Sequence, residues 1–146
     1  MIYIRFKKLT KTAIAPTKGS AFAAGFDLYA DTTQDITVNP GETVPFYTGI
    51  AMEIPDGYFG AVYPRSGLAT KYGLRLPHCV GVIDSDYRGN VGVPLYNDSS
   101  QPVLVLAHER VAQIVFQRYE DAILHEDTEL TMTDRGTGGF GSSGRT

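Results

Sequence analysis

The chain has 146 residues, 42% of them hydrophobic and 20% charged, with a formal net charge of −3. That length suits one domain, and the hydrophobic content excludes disorder as the default state. A mildly acidic chain with no long apolar run is neither a general nucleic-acid binder, which needs a broad basic surface, nor a helical membrane protein, so the expected partners include neither nucleic acid nor membrane.

Ile2 to Leu9 sets Ile2, Ile4 and Phe6 against Tyr3, Arg5 and Lys7, the alternation of a half-buried strand. This stretch lacks the continuous apolar core and cleavage site of a secretory signal. Gly25-Phe26-Asp27-Leu28-Tyr29 is an apolar strand interrupted by an acid. Ile36-Thr37-Val38 runs into the turn residues Asn39-Pro40-Gly41, and a β-branched and aromatic strand from Thr43 to Ile54 stops at Pro55-Asp56-Gly57. Tyr58 to Tyr63 is the next strand. The spacing then predicts one short helix over 67–72, closed by Gly73 and dependent on tertiary support. Val80–Ile83, Asn90–Tyr96, Val103–Leu106 and Val111–Tyr119 complete the strands. Turn signals roughly 8–12 residues apart predict an all-β sandwich or barrel rather than alternating βα units. The only cysteine, Cys79, has no internal disulfide partner, which with the missing signal predicts a reducing, cytoplasmic setting. His78, His108 and His125 stand apart and form no zinc-ligand pattern.

Three segments are suited to chemistry. Pro64-Arg65-Ser66-Gly67-Leu68-Ala69 places a guanidinium and a hydroxyl at the start of the helical turn, where the first N–H groups lack intrahelical partners. The same residues also suit an ordinary capped helix with a surface arginine. Val80-Gly81-Val82-Ile83-Asp84-Ser85-Asp86-Tyr87-Arg88-Gly89-Asn90-Val91-Gly92 reads as a β-hairpin with acids and an aromatic at its tip. Its aspartates suit either local backbone bonds or, for Asp84, a water to be oriented or deprotonated. The tail Gly136-Thr137-Gly138-Gly139-Phe140-Gly141 matches G-x-G-x-x-G in letters only, since that fingerprint needs a strand before it and a helix after it and five residues remain beyond Gly141. By composition it is a flexible terminus. Its glycines would let backbone approach phosphate, with Arg135, Ser142 and Ser143 as donors, and Phe140 offers a ring to stack on a base. Asp27 and Gln113, read alone, are polar residues near a core.

Taken in order, five stretches resemble the trimeric dUTP pyrophosphatase (dUTPase) family. They are Ala23-Ala24-Gly25-Phe26-Asp27-Leu28-Tyr29-Ala30; the Pro64–Ala69 segment; Gly81-Val82-Ile83-Asp84-Ser85-Asp86-Tyr87-Arg88-Gly89; Glu109-Arg110-Val111-Ala112-Gln113; and Arg135 to Gly144. The resemblance implies a jelly-roll-like β domain over 1–134 and a C-terminal arm over 135–146 that closes over the site. It implies a homotrimer whose sites draw on several subunits, and hydrolysis of dUTP to dUMP and pyrophosphate, which limits uracil in DNA and supplies dUMP for dTMP synthesis. It assigns Asp84 to water activation and Tyr87 to the deoxyribose. Arg65, Ser66, Gly67 and Gln113 fall at phosphate contacts, as do Arg135, Ser142 and Ser143 of the tail, with Gly138 and Gly141 beside them. Phe140 matches the ring stacked on uracil, whose edge is read near His78 and the backbone of Val80, Gly81 and Val82. Mg²⁺ is held by the triphosphate and water, with no direct protein ligand, and Asp27 falls near the metal's water shell or in structural contacts at the site. This chain has His78 where many bacterial members carry Asn, and His108 where many carry Gly. The alternatives are a dCTP deaminase-like enzyme and a non-catalytic nucleotide-binding module, because fold does not fix function.

Overall fold

A computed structural model describes residues 1–78 and 80–139 of the chain. Among them lie eleven strands and one helix, an all-β architecture. β1 (Arg5–Lys8) pairs with β5 (Ile50–Glu53), and β3 (Ile36–Val38) with β10 (Val103–Val105). The largest sheet runs β2 (Phe26–Tyr29), β11 (Arg110–Arg118), β6 (Tyr58–Pro64) and β8 (Gly81–Ile83). A three-stranded sheet runs β4 (Thr43–Tyr47), β9 (Gly92–Asn97) and β7 (Leu74–Arg75). All these pairings are antiparallel and join strands far apart in sequence, as in a jelly-roll-like sandwich. No helix among the described residues is long and apolar enough to cross a membrane.

The core follows from strand periodicity. In β9, Val93, Leu95 and Asn97 point inward while Gly92, Pro94 and Tyr96 are only partly covered. Phe46, Leu28, Ile50 and Ile114 are essentially sealed from solvent, and each such side chain contributes about 1.5–3 kcal/mol by leaving water. Asn97 is a polar group in this apolar interior, and every part of its amide is used. Its Nδ2 donates to the carbonyls of Val38 at 2.9 Å and Gln101 at 2.7 Å, and its Oδ1 accepts from Ser99 N–H at 2.9 Å and Ser99 Oγ at 2.7 Å. A buried amide is tolerated when it is satisfied in this way.

Three expectations are corrected. The predicted strand from Thr43 to Ile54 is two strands in different sheets, broken at Thr48-Gly49, where Gly49 takes φ +67°. Glycine is required there: a Cβ would stand 2.5 Å from Asp31 Oδ2 and 2.7 Å from the Ala13 Cβ. The predicted hairpin is not a hairpin, because β8 pairs with β6 and β9 pairs with β4 and β7. Residues 84–91 therefore cross from one sheet to the other, and a connection of that length does not force its flanking strands to pair. Finally, the alternation expected of the N-terminal segment holds at Ile2 and Ile4, which are half-buried with Ile4 packed against the core, and fails at Phe6, which is exposed with the rest of β1.

The helix α1 (Ser66–Tyr72) ends as expected: Gly73, at φ +71°, turns its N–H onto the carbonyls of Ala69 and Leu68. The Arg65 side chain makes no cap bond at the other end.

Candidate active site

The crossing segment 84–91 is anchored at its far end. Val91 N–H donates to the Ile50 carbonyl at 2.8 Å, and the Val91 carbonyl accepts Thr48 N–H and Thr48 Oγ1, each at 3.0 Å. The bend between β4 and β5 thus fixes where the crossing lands. At its near end, Asp84 leaves β8 and opens a turn whose Tyr87 N–H donates back to the Asp84 carbonyl at 3.2 Å. Arg88 Nη1 closes the turn by donating to the carbonyls of Ser85 at 2.6 Å and Tyr87 at 3.0 Å. Tyr87 Oη donates to the Asn90 carbonyl at 3.0 Å. Asp84 and Tyr87 are both exposed, and with His78, Gly81 and Val82 they line a cleft of about 260 Å³.

Val80 lines neither this cleft nor the second one described below. It begins the segment at φ +70°, a left-handed torsion that strains a β-branched residue by about 1–3 kcal/mol. The strand accordingly starts at Gly81 rather than Val80. His78 reaches over that start: a Cβ on Gly81 would lie 3.2 Å from His78 Nε2.

A second cleft, also about 260 Å³, is lined by Asp27, Arg65, Ser66, Gly67, Arg110 and Gln113, among others. Strand register assembles it. Gln113 of β11 lies opposite Asp27 of β2 on one side and Tyr63 of β6 on the other, so the side chains of these three share a face of the sheet. Gln113 Nε2 donates to the Pro64 carbonyl at 3.2 Å. Gly25 leaves space for this amide, since a Cβ there would stand 3.2 Å from Gln113 Oε1. The Asp27 carboxylate is held between two guanidinium groups, Arg65 Nε at 3.3 Å from Oδ1 and Arg110 Nη1 at 3.1 Å from Oδ2. Two cations against one anion leave one positive charge in excess, which suits an anionic ligand. With both oxygens engaged, Asp27 is built into an arginine clamp, a role its sequence context does not express.

Nothing in the Glu109–Gln113 stretch marks Arg110 as the second cation of the clamp; the irregular register between Arg110 and Ala112, of the bulge kind that re-aims a side chain, appears only in the fold. His108 takes φ +58°, a left-handed torsion that glycine adopts without strain.

The expected site residues therefore separate into two clefts that share no lining residue, one with the acid and aromatic and one with the cations. Arg135 and Gly138 lie in neither. They belong to a local turn in which Arg135 Nε donates to the Gly138 carbonyl at 2.8 Å. Phe140, Gly141, Ser142 and Ser143 lie outside the described residues. Among the described residues no three His, Cys, Asp or Glu side chains gather as metal ligands.

A family model described as dUTPase matches residues 11–144. The deoxyuridine 5'-triphosphate nucleotidohydrolase of Mus musculus is 44% identical over 97% of this chain and 85% of its own length. That of Desulfitobacterium hafniense is 46% identical over 97% of this chain and 93% of its own. Among solved structures, a Staphylococcus bacteriophage 80alpha dUTPase G164S mutant with dUpNHpp superposes with a TM-score of 0.86 at 27% identity, covering 99% of both chains.

Proposed function

The chain belongs to the dUTPase family, and from that premise we propose how its residues hydrolyse dUTP to dUMP and pyrophosphate. The reaction removes a DNA precursor that carries uracil and yields the precursor of dTMP. Asp84 holds a water in line with the α-phosphorus and takes up its proton as the P–O bond to pyrophosphate breaks. A carboxylate is a weak base, so most of its effect is placement of the nucleophile.

Arg65, with Arg110 beside it, offsets the charge of the triphosphate, and the hydroxyl and backbone of Ser66, Gly67 and the Gln113 amide fix its oxygens. Tyr87 lies against the deoxyribose. The uracil edge meets the backbone of Val80, Gly81 and Val82, with the His78 ring at the rim. Buried backbone partners left unpaired by cytosine make such a pocket selective. Arg135, Gly138, Phe140, Gly141, Ser142 and Ser143 close the site from the tail.

Mg²⁺ keeps several waters and binds through substrate phosphates, so this reading needs no protein cage. The residues fit such an ion: of the two cleft carboxylates, Asp27 is taken up by Arg65 and Arg110, while Asp84 has no guanidinium partner among the described residues. When bound, the ion neutralises phosphate charge and orients the triphosphate.

The observation that carries the shared-site reading is the separation of the two clefts. Acid and cations must act on one triphosphate, so the Asp84 cleft of one copy faces the arginine cleft of another, which a closed homotrimer achieves. Mixing tests this directly. Asp84→Asn and Arg65→Ala proteins, each inactive alone, are unfolded together and refolded. Mixed oligomers contain sites with both native groups and regain pyrophosphate release. Absence of any regain, with mixed oligomers demonstrated by mass, refutes sharing.

A further inference from the structure

Tyr87 is held from two directions. Its Oη is hooked on the Asn90 carbonyl at 3.0 Å. Asn90 is itself fixed, because its Oδ1 accepts the Gly49 N–H at 2.9 Å. From the other direction, the phenol end lies across Gly89. A Cβ on Gly89 would collide with Tyr87 Oη and stand 2.5 Å from Cζ and 2.9 Å from Cε2. Side-chain carbons do not approach that closely, so any residue but glycine displaces the ring.

Backbone conformation does not call for this glycine. Gly89 is not among the glycines with positive φ, unlike Gly41, Gly49, Gly57, Gly73 and Gly136. What demands it is the aromatic ring two residues earlier.

We infer that Gly89 is a specificity-positioning residue: the space it leaves sets where the Tyr87 ring lies against the sugar, and so sets the discrimination between deoxyribo- and ribonucleotides. The inference rests on the reading of Tyr87 as the deoxyribose platform. The groups in the way belong to the far end of a side chain with two rotatable torsions, not to backbone or core. An added methyl is therefore relieved by a swing of the ring. The fold keeps its contacts, and the platform loses its position and its Asn90 hook. A 2′-hydroxyl is rejected only by a surface held firmly against C2′, so a displaced ring discriminates poorly.

The test compares kcat/KM for dUTP and UTP in the parent protein, Gly89→Ala, Tyr87→Ala and the double variant. Gly89→Ala lowers the dUTP-to-UTP ratio at least about fivefold, and in the Tyr87→Ala background the same change alters the ratio by less than about twofold, because the ring it acts through is gone. Its Tm stays within about 3 °C of the parent. If Tyr87→Ala narrows the ratio and Gly89→Ala does not, the inference fails and the sugar-platform reading stands. If Tyr87→Ala leaves the ratio unchanged, the platform reading fails and takes the inference with it. An effect of Gly89→Ala that persists without the Tyr87 ring, or a Gly89→Ala protein that does not fold, also overturns it.

Discussion

Asp27 holds Arg65 at Nε, 3.3 Å from its Oδ1. Arg65 Nη1 donates to the Arg110 carbonyl at 3.3 Å, so the guanidinium is held at two of its nitrogens. The second carboxylate oxygen holds the Arg110 side chain. One acid on β2 thereby keeps two like charges beside each other in a cleft suited to phosphate, and it is largely covered while doing so, with 13% of its side chain exposed.

Asp27→Asn removes that neutralisation and lets the two guanidinium groups repel. KM for dUTP rises about tenfold, equivalent to roughly 1.4 kcal/mol of lost positioning, with a smaller change in kcat. Steady-state kinetics at several Mg²⁺ concentrations check this. If KM holds steady while the half-saturating Mg²⁺ concentration moves, the carboxylate serves the metal's water shell and the clamp is incidental.

Asp84→Asn keeps shape and removes charge and basicity. Turnover falls about 10²–10⁴-fold, the range for a positioned base, while affinity for a non-hydrolysable dUTP analogue measured by calorimetry stays within about threefold of the parent. Turnover near the parent level would show that another group prepares the water.

Much of this architecture is legible in the chain, and the gaps have physical causes. β-branched and aromatic content locates β9 and β11, because such side chains fit a pleated, half-buried surface. It cannot say which strands pair, so the segment from Val80 to Gly92 reads as a local ribbon while its two ends belong to different sheets. Thr48-Gly49 is too short an interruption to break the pattern of Thr43 to Ile54, and β7 has two residues, too few for any period. The site is legible as residue types in order: Asp84, Tyr87, Arg65 and Gln113 stand in the stretches that resemble the family, and the structure sorts them into clefts. Their division between two clefts is not legible, since it depends on folded distance. Nor is the dependence of Tyr87 on Gly89, which looks in sequence like a turn glycine.

Ending the chain after Asp134 removes residues 135–146. Among the described residues, those of this stretch have local hydrogen bonds, such as Gly136 N–H to the Thr133 carbonyl and Arg135 Nε to the Gly138 carbonyl. The truncated protein keeps its thermal transition and loses hydrolysis by about 10²-fold or more, as expected when donors to a developing anion are withdrawn. Differential scanning calorimetry and pyrophosphate release, run side by side, separate the two effects. Undiminished hydrolysis would show that the tail takes no part in the reaction.

Thr48 is the buried polar residue on which the site's landing point depends. Its Oγ1 donates to the Val91 carbonyl at 3.0 Å and accepts the Ile50 N–H at 3.2 Å, all within the interior. Thr48→Val retains volume and β-branching and deletes both bonds. The Val91 carbonyl keeps the Thr48 N–H and the loss there is small, but the Ile50 N–H is stranded without a partner. An unsatisfied buried donor costs about 1–3 kcal/mol, so the urea midpoint drops while the m-value holds. Because Val91 ends the crossing segment that carries Asp84 and Tyr87, kcat/KM for dUTP falls as well, although Thr48 lines neither cleft. A stability loss with unchanged kinetics would mean that the Ile50 pairing alone secures Val91, and that the threonine serves the core and not the site.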